Sequence, residues 1–279
     1  MGVASVADLL VCPQCRTSFA VSNDYRSLRC RQGHAFDIAR QGYVNLRGQS
    51  VPQHADTAAM VGARDRFLAS GHYRPMADAL LGLAGDPGDR RLLDVGTGTG
   101  YYLARLLDGL PGARGVGLDI SVAAVRRAAR AHLRLGAVVA DAWQPIPLAD
   151  ASMDVVLNVF APRNVAEFAR VLAPTGVLLS VIPDPDHLVE VRSALGLLDI
   201  QADKQARIRD AMGGAFTQLS EQSLSYRVRL QPSELVDLVA MGPNAFHLSD
   251  AELTGLAASV PAPITVSVAV RISAWGLAG

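Results

Sequence analysis

All three cysteines of the chain, Cys12, Cys15 and Cys30, lie close together near the N-terminus, and His34 follows the last of them. Their spacing is C-x2-C-x14-C-x3-H. Zinc takes four soft or borderline ligands in a tetrahedron, and two close pairs on separate knuckles supply them. Pro13-Gln14 forms the first knuckle, a turn near Ser22-Asn23-Asp24 reverses the chain, and Gln32-Gly33 forms the second. Glycine at the second knuckle permits the tight backbone that aims Cys30 and His34 inward. Three thiols cannot all pair as disulfides, and ordinary buried cysteines would be scattered. Four protein ligands leave no open coordination position, so the metal reads as structural. It substitutes for the core that so short a segment cannot build alone.

A second pattern begins at Leu92-Leu93-Asp94-Val95, a short apolar strand. Gly96-Thr97-Gly98-Thr99-Gly100 is a glycine turn, and Tyr101–Leu110 has the apolar spacing of an amphipathic helix. Dinucleotide-binding folds also place a glycine turn between strand and helix, so the turn alone is weak. Three details favour S-adenosylmethionine over NAD. The glycines read G-x-G-x-G after an acid, Asp94, rather than G-x-G-x-x-G. The next strand ends at Asp119, suited to accept from two ribose hydroxyls. The one after it ends at Asp141-Ala142, where a carboxylate and backbone can meet an adenine ring. Singly, each aspartate could be a helix cap or a turn residue. Three at successive strand ends beside the glycine turn match the ligand crevice of an open α/β sheet. The cofactor residues are therefore Asp94, Gly96, Gly98, Gly100, Asp119, Asp141 and Ala142.

Further elements must position these groups. Strands are expected at Gly115–Ile120, Ala137–Ala140, Asp154–Val159 and Val177–Ile182, with helices at Val122–His132 and Val165–Leu172. Alternation on this scale gives parallel strands with crossover helices, a doubly wound sheet. Two helices, about Asp56–Ser70 and Arg74–Leu83, precede it. At 279 residues, half hydrophobic, the chain can bury one full core and a small appendage. No run is long and apolar enough to span a bilayer, and the N-terminus lacks the pattern of a secretory signal, so a cytoplasmic setting is expected. Net charge is zero, which argues neither for nor against nucleic acid. The first fifty residues nevertheless carry six arginines against three acids.

The zinc knuckle joined to G-H-x-F-D-x-A-R-x-G-Y-x-N-L (residues 33–46), then DVGTGTG (94–100), resembles the RlmA-type 23S rRNA (guanine-N1)-methyltransferases. The segments ADTAAMVGARDRFLASGHYRP (55–75), LNVFAPRN (157–164), DHLVEV (186–191) and AMGPNAFH (240–247) resemble its macrolide-resistance branch. The resemblance implies a SAM-dependent methyltransferase domain with a seven-stranded mixed sheet and a small N-terminal zinc-binding module. It implies methylation of guanine N1 in the hairpin 35 region of 23S rRNA, and a zinc module that helps to hold RNA. On this reading residues 1–47 form the zinc module, 48–88 a linker with helices, and 89–279 the methyltransferase domain. Partners are 23S rRNA and, as an open alternative, a second copy of the chain; no membrane is involved.

Residue chemistry adds candidates at the end of the fourth strand, where a target base should meet the cofactor. Asn158 could hold a ring or exocyclic amine, Phe160 could stack on a base held out of its helix, and Arg163 could contact O6, N7 or phosphate. The plainer reading makes Asn158 and Asn164 helix caps and Phe160 a core residue. His72 and His187 could accept a proton near neutral pH, though such histidines more often position other groups. His247 is placed on a loop walling the target pocket. Arg16, Arg26, Arg29 and Arg31 suit phosphate contact as a group. Two other readings remain open: a small-molecule methyltransferase whose zinc module is structural or dimer-forming, and an RNA-binding protein that keeps a SAM pocket as a sensor.

Overall fold

Each side chain of Leu135–Val139 is buried, the mark of a strand covered on both faces. It belongs to an eight-stranded sheet built around the glycine turn. The computed structural model describes residues 2–48, 55–86, 88–195, 204–242, 250–260 and 263–279.

The N-terminal segment opens with a 3-10 helix over Gly2–Leu9. Three short strands follow, β1 (Phe19–Val21), β2 (Ser27–Cys30) and β3 (Ala35–Asp37), paired antiparallel in one small sheet. Then come β4 (Tyr43–Asn45) and the helices α1 (Ala58–Ala69) and α2 (Arg74–Leu83). Thr57 caps α1 through its hydroxyl, and proline in the first turn of α2 has no amide hydrogen to waste.

The alternating region contains β5 (Arg91–Val95), α3 (Tyr101–Gly109), β6 (Arg114–Asp119), α4 (Val122–Ala131), β7 (Leu135–Val139), β8 (Met153–Val159), α5 (Val165–Val171) and β9 (Leu172–Pro183). The expected elements are present, with ends shifted by a few residues; β9 starts five residues earlier than its apolar run. After β9 come α6 (Val189–Leu195), α7 (Lys204–Met212), β10 (Phe216–Leu230), α8 (Pro232–Ala240), α9 (Asp250–Ser259) and β11 (Ile264–Leu277).

Strand order in the large sheet is β10-β11-β9-β8-β5-β6-β7-β4. From β9 to β4 the neighbours are parallel, while β10 and β11 run antiparallel at the other edge. The order reverses between β5 and β8, and a crevice opens beyond the strand ends at such a switch point.

Strands β5 to β11 are the seven of the methyltransferase sheet. The eighth, β4, comes from the N-terminal segment and pairs parallel with β7, Val44 opposite Val138. The segment is joined to the sheet elsewhere too. Val3 and Val6 of the 3-10 helix are buried, and a side chain at Gly136 of β7 would collide with Val6. Leu10 bridges Leu148, and the Val11 amide donates to Pro147 O at 3.0 Å. Cys12, Leu28 and Cys30 share one hydrophobic cluster with Val116, Val138 and Phe168.

Candidate functional site

The ligand atoms of Cys12, Cys15, Cys30 and His34 all lie within 4.8 Å of one another. Cys15 Sγ is 3.6 Å from Cys30 Sγ, and His34 Nδ1 is 3.5 Å from Cys12 Sγ and 3.4 Å from Cys30 Sγ. A zinc with metal–sulfur bonds of about 2.3 Å sets its ligands about 3.5–3.8 Å apart along the edges of a tetrahedron. The donor set and its edges fit zinc. The Thr17 hydroxyl, 3.1 Å from Cys15 Sγ, is the main cause that lowers this thiol's pKa to about 6, toward the thiolate that binds metal. The four residues close on one another, so this centre is structural.

The second site is a cavity of about 840 Å³ beyond the ends of β5, β6, β7 and β8. Gly96, Gly98, Asp119, Asp141 and Ala142 line it. Gly96 has φ +74°, and a Cβ there would stand 2.6 Å from that of Ala161, so only glycine fits. The Gly98 amide donates to Asp119 Oδ2 at 2.9 Å, and the Ser121 amide donates to Oδ1 at 2.8 Å. Each carboxylate oxygen keeps further acceptor capacity, suited to a pair of ribose hydroxyls. Burial raises the Asp119 pKa. Asp141 turns Oδ1 to the Trp143 amide at 2.9 Å, which shapes the loop around its place in the wall.

Two expected cofactor residues stand behind the wall instead. Asp94 is buried beneath the turn and accepts from the Thr97 hydroxyl at 2.7 Å; burial raises its pKa to about 7. Gly100, with φ +81°, precedes the first turn of α3, where a Cβ would crowd Ala128 of α4 at 3.1 Å. Both shape the turn and neither lines the cavity.

The base-positioning candidates divide similarly. Phe160 lines the cavity, is 42 % exposed and has φ +52°, a conformation unfavourable for a bulky side chain. Its ring lies 5.7 Å from that of His187 and 6.4 Å from that of Tyr73. It is not the core residue of the plainer reading. Asn158, expected to touch the base, is buried below the wall and donates from Nδ2 to Pro162 O at 2.8 Å, holding the loop that carries Phe160. Its Oδ1 is buried with no partner among the described residues. Arg163, also expected at the base, is half-buried off the cavity wall, and burial lowers its pKa. Asn164 caps α5 and clips it to Ala142 O at 3.0 Å.

His187 forms part of the wall and is buried; desolvation, with help from the Arg192 guanidinium, lowers its pKa to about 4. Its Nδ1 accepts from the Ala269 amide at 3.3 Å and its Nε2 lies 3.4 Å from the Tyr73 hydroxyl. Such a neutral, doubly engaged ring is a positioning group. His72 lies outside the wall, with Nε2 3.0 Å from Glu234 Oε1. His247 falls outside the described residues.

Sequence reading missed Asp56, Arg64, Tyr73 and Trp143, which all line the cavity. Arg64 is ion-paired with Asp56 and donates to Met241 O at 2.8 Å. Their signal was the polar spacing within residues 55–75, but a pair eight apart on a helix start has no mechanistic signature. Among the knuckle arginines, Arg16 clamps the N-terminal segment to the 146–148 loop. It donates to Ile146 O at 3.0 Å and Leu148 O at 2.9 Å, and lies 3.5 Å from Asp150. Arg26, Arg29 and Arg31 are exposed.

A doubly wound sheet with this cavity at its switch point, carrying a Cys3His ribbon, defines a SAM-dependent methyltransferase with a structural zinc. Residues 92–176 match the family model "Methyltransferase domain", and residues 10–47 match "RlmA, N-terminal". The chain is 43 % identical over 273 residues to the 23S rRNA (guanine(748)-N(1))-methyltransferase of Streptomyces fradiae, covering 96 % of this chain and 97 % of that one. It is 45 % identical over 284 residues to a Micromonospora griseorubida protein provisionally named for the same guanine-N1 reaction, covering 95 % and 96 %. The chain belongs to the 23S rRNA (guanine-N1)-methyltransferase family. Solved structures share its fold at lower identity. The MccD protein aligns at TM-score 0.52 and 19 % identity over 72 % of this chain and 96 % of that one. The [4+2]-cyclase SpnF aligns at 0.51 and 23 % over 72 % and 80 %. A cyclase on the same fold means that fold alone does not fix the reaction.

Among the described residues no helix is long and apolar enough to cross a membrane.

Proposed function

We propose that this protein methylates guanine N1 in the hairpin 35 region of 23S rRNA, in the cytoplasm, and that the modification lowers macrolide susceptibility. The observation that carries the reading is Phe160, an exposed aromatic held at positive φ on the wall of the cofactor cavity. Residues in such strained conformations cluster at functional sites, and an exposed ring there suits a base drawn out of its stack. SAM supplies the methyl group. Asp119, Asp141 and Ala142 would hold its adenosine, with Gly96 and Gly98 giving it backbone room. Asn158 fixes the loop and Phe160 orients the base, so that much of the acceleration comes from placing N1 against the donor. The buried, neutral His187 steadies Tyr73 and leaves proton removal to another acceptor.

Primer extension across hairpin 35 tests the proposal, because N1-methylguanine cannot form a Watson–Crick pair and leaves a stop. A stop that depends on both protein and SAM is the expected result. Full-length extension, with SAM consumed only on a small-molecule acceptor, would overturn it.

A further inference from the structure

On the solvent side of α4, a groove of about 620 Å³ runs between this helix and α1. Arg126, Arg127 and Arg130 line it, together with Gln41 from the turn before β4, Asp65 of α1 and Thr99 of the glycine turn. Arg127 is paired with Asp65. Arg126 and Arg130 are exposed, and their guanidiniums have neither hydrogen bond nor ion pair among the described residues.

Many other arginines are paired with acids. Arg91, Arg105, Arg114, Arg170 and Arg271 all meet carboxylates. Arg126 and Arg130 are instead four apart on one helix, an arrangement of like charges that destabilises a helix slightly. Since the whole chain carries equal numbers of acidic and basic residues, acids were available to neutralise them. With Arg127–Asp65 balanced, the groove keeps two uncompensated guanidiniums. Guanidinium forks suit phosphate oxygens geometrically, and Gln41 adds a neutral donor at one side. Thr99 lines both the groove and the cofactor cavity, so the cationic surface adjoins the site of methyl transfer.

We infer that this α1–α4 groove binds backbone phosphates of the RNA substrate, with Arg126 and Arg130 as the contacts. The inference rests on the rRNA reading above and adds a binding surface to it, on a different element from the exposed arginines of the zinc module. The occupant is a nucleic-acid backbone, because two guanidiniums spaced along one groove match repeated phosphates and no aromatic side chain lines the groove to stack on a base.

The test compares full-length wild type with R126Q/R130Q and R126K/R130K, using a transcript of the hairpin 35 region. RNA affinity is measured at several salt concentrations, SAM affinity by calorimetry, and folding by thermal melting. Each phosphate contact adds roughly 0.7–0.9 to the slope of log affinity against log salt, so the glutamine pair should lower the slope by about 1.4–1.8. The lysine pair should restore most of it, and SAM affinity should not change. Unaltered RNA affinity and slope in the glutamine pair, beside a wild type that does bind the transcript, would overturn the groove and leave the rRNA reading standing. Loss of SAM affinity in step with RNA affinity would also overturn it, since the arginines would then act through Thr99. A wild type that neither binds nor methylates the transcript would overturn the rRNA reading and this inference with it.

Discussion

The Gly98 amide donates to Asp119 Oδ2 over 2.9 Å, so the turn after β5 and the acid ending β6 form one hydrogen-bonded unit. The Ser121 amide holds the other carboxylate oxygen. Asp119 therefore shapes the glycine turn as well as facing the cavity. Asp119→Ala would leave two amides without their acceptor and remove a charged partner from the cofactor site. A hydrogen bond to a charged group is worth about 1.5–3 kcal/mol, so SAM affinity should fall roughly tenfold or more. Unchanged affinity by isothermal titration would place the ribose elsewhere.

Phe160 permits a cleaner separation of strain from function. Its φ of +52° favours glycine over any side chain, and about 1–2 kcal/mol separates the two there. Phe160→Gly should melt about 2–4 °C above Phe160→Ala, given the entropy of a chain this size. Both variants should bind SAM and both should methylate RNA slowly in single turnover. A Phe160→Gly protein with full methylation rate would show that the ring does no positioning.

Why was the place of Phe160 in the cavity wall legible in the sequence, and the burial of its neighbours not? A short, almost continuous apolar run locates the end of β8 well, since six of its seven residues are buried. It does not say which side chains past the last rung turn outward. Asn158 still points into the sheet and spends its amide on Pro162 O, whereas the left-handed kink at Phe160 lifts that ring into the cavity. The clamp made by Arg16 was illegible for a related reason: its carbonyl partners are 130 and 132 residues away in sequence. The zinc ligands were legible because their chemistry is local and their spacing is set by two knuckles. β10 gave little signal because it is an edge strand whose residues are mostly exposed.

Buried Asp94 predicts a pH effect of definite sign. Its folded pKa, about 7, lies above the ordinary carboxylate value of 3.8, so the folded protein holds a proton that the unfolded chain has released. Stability from this group is complete below about pH 4 and declines as pH rises toward 7. Asp119, raised by burial as well, adds a slope of the same sign. Asp94→Asn should therefore flatten, without abolishing, the fall in cofactor-free stability across that window. Denaturant midpoints at several pH values measure it, and parallel curves for wild type and variant would contradict the assignment.

Zinc removal should affect the whole chain, not the ribbon alone. The metal ligands Cys12 and Cys30 lie in the same hydrophobic cluster as the sheet residues Val116 and Val138, and β4 extends that sheet. Elemental analysis should find about one zinc per chain, with thiols protected until a chelator is added. Chelation should then lower a single thermal transition, because loss of the ribbon frees the β7 edge with which β4 pairs. Arg16→Ala tests the same coupling without touching the metal. It removes two charged hydrogen bonds to the 146–148 loop, one end of which is partly open to solvent, at a cost of about 1–2 kcal/mol. The variant should keep its zinc yet melt several degrees lower, again in one step. Two separate transitions in either experiment, with the upper one at the wild-type temperature, would show that ribbon and sheet unfold independently.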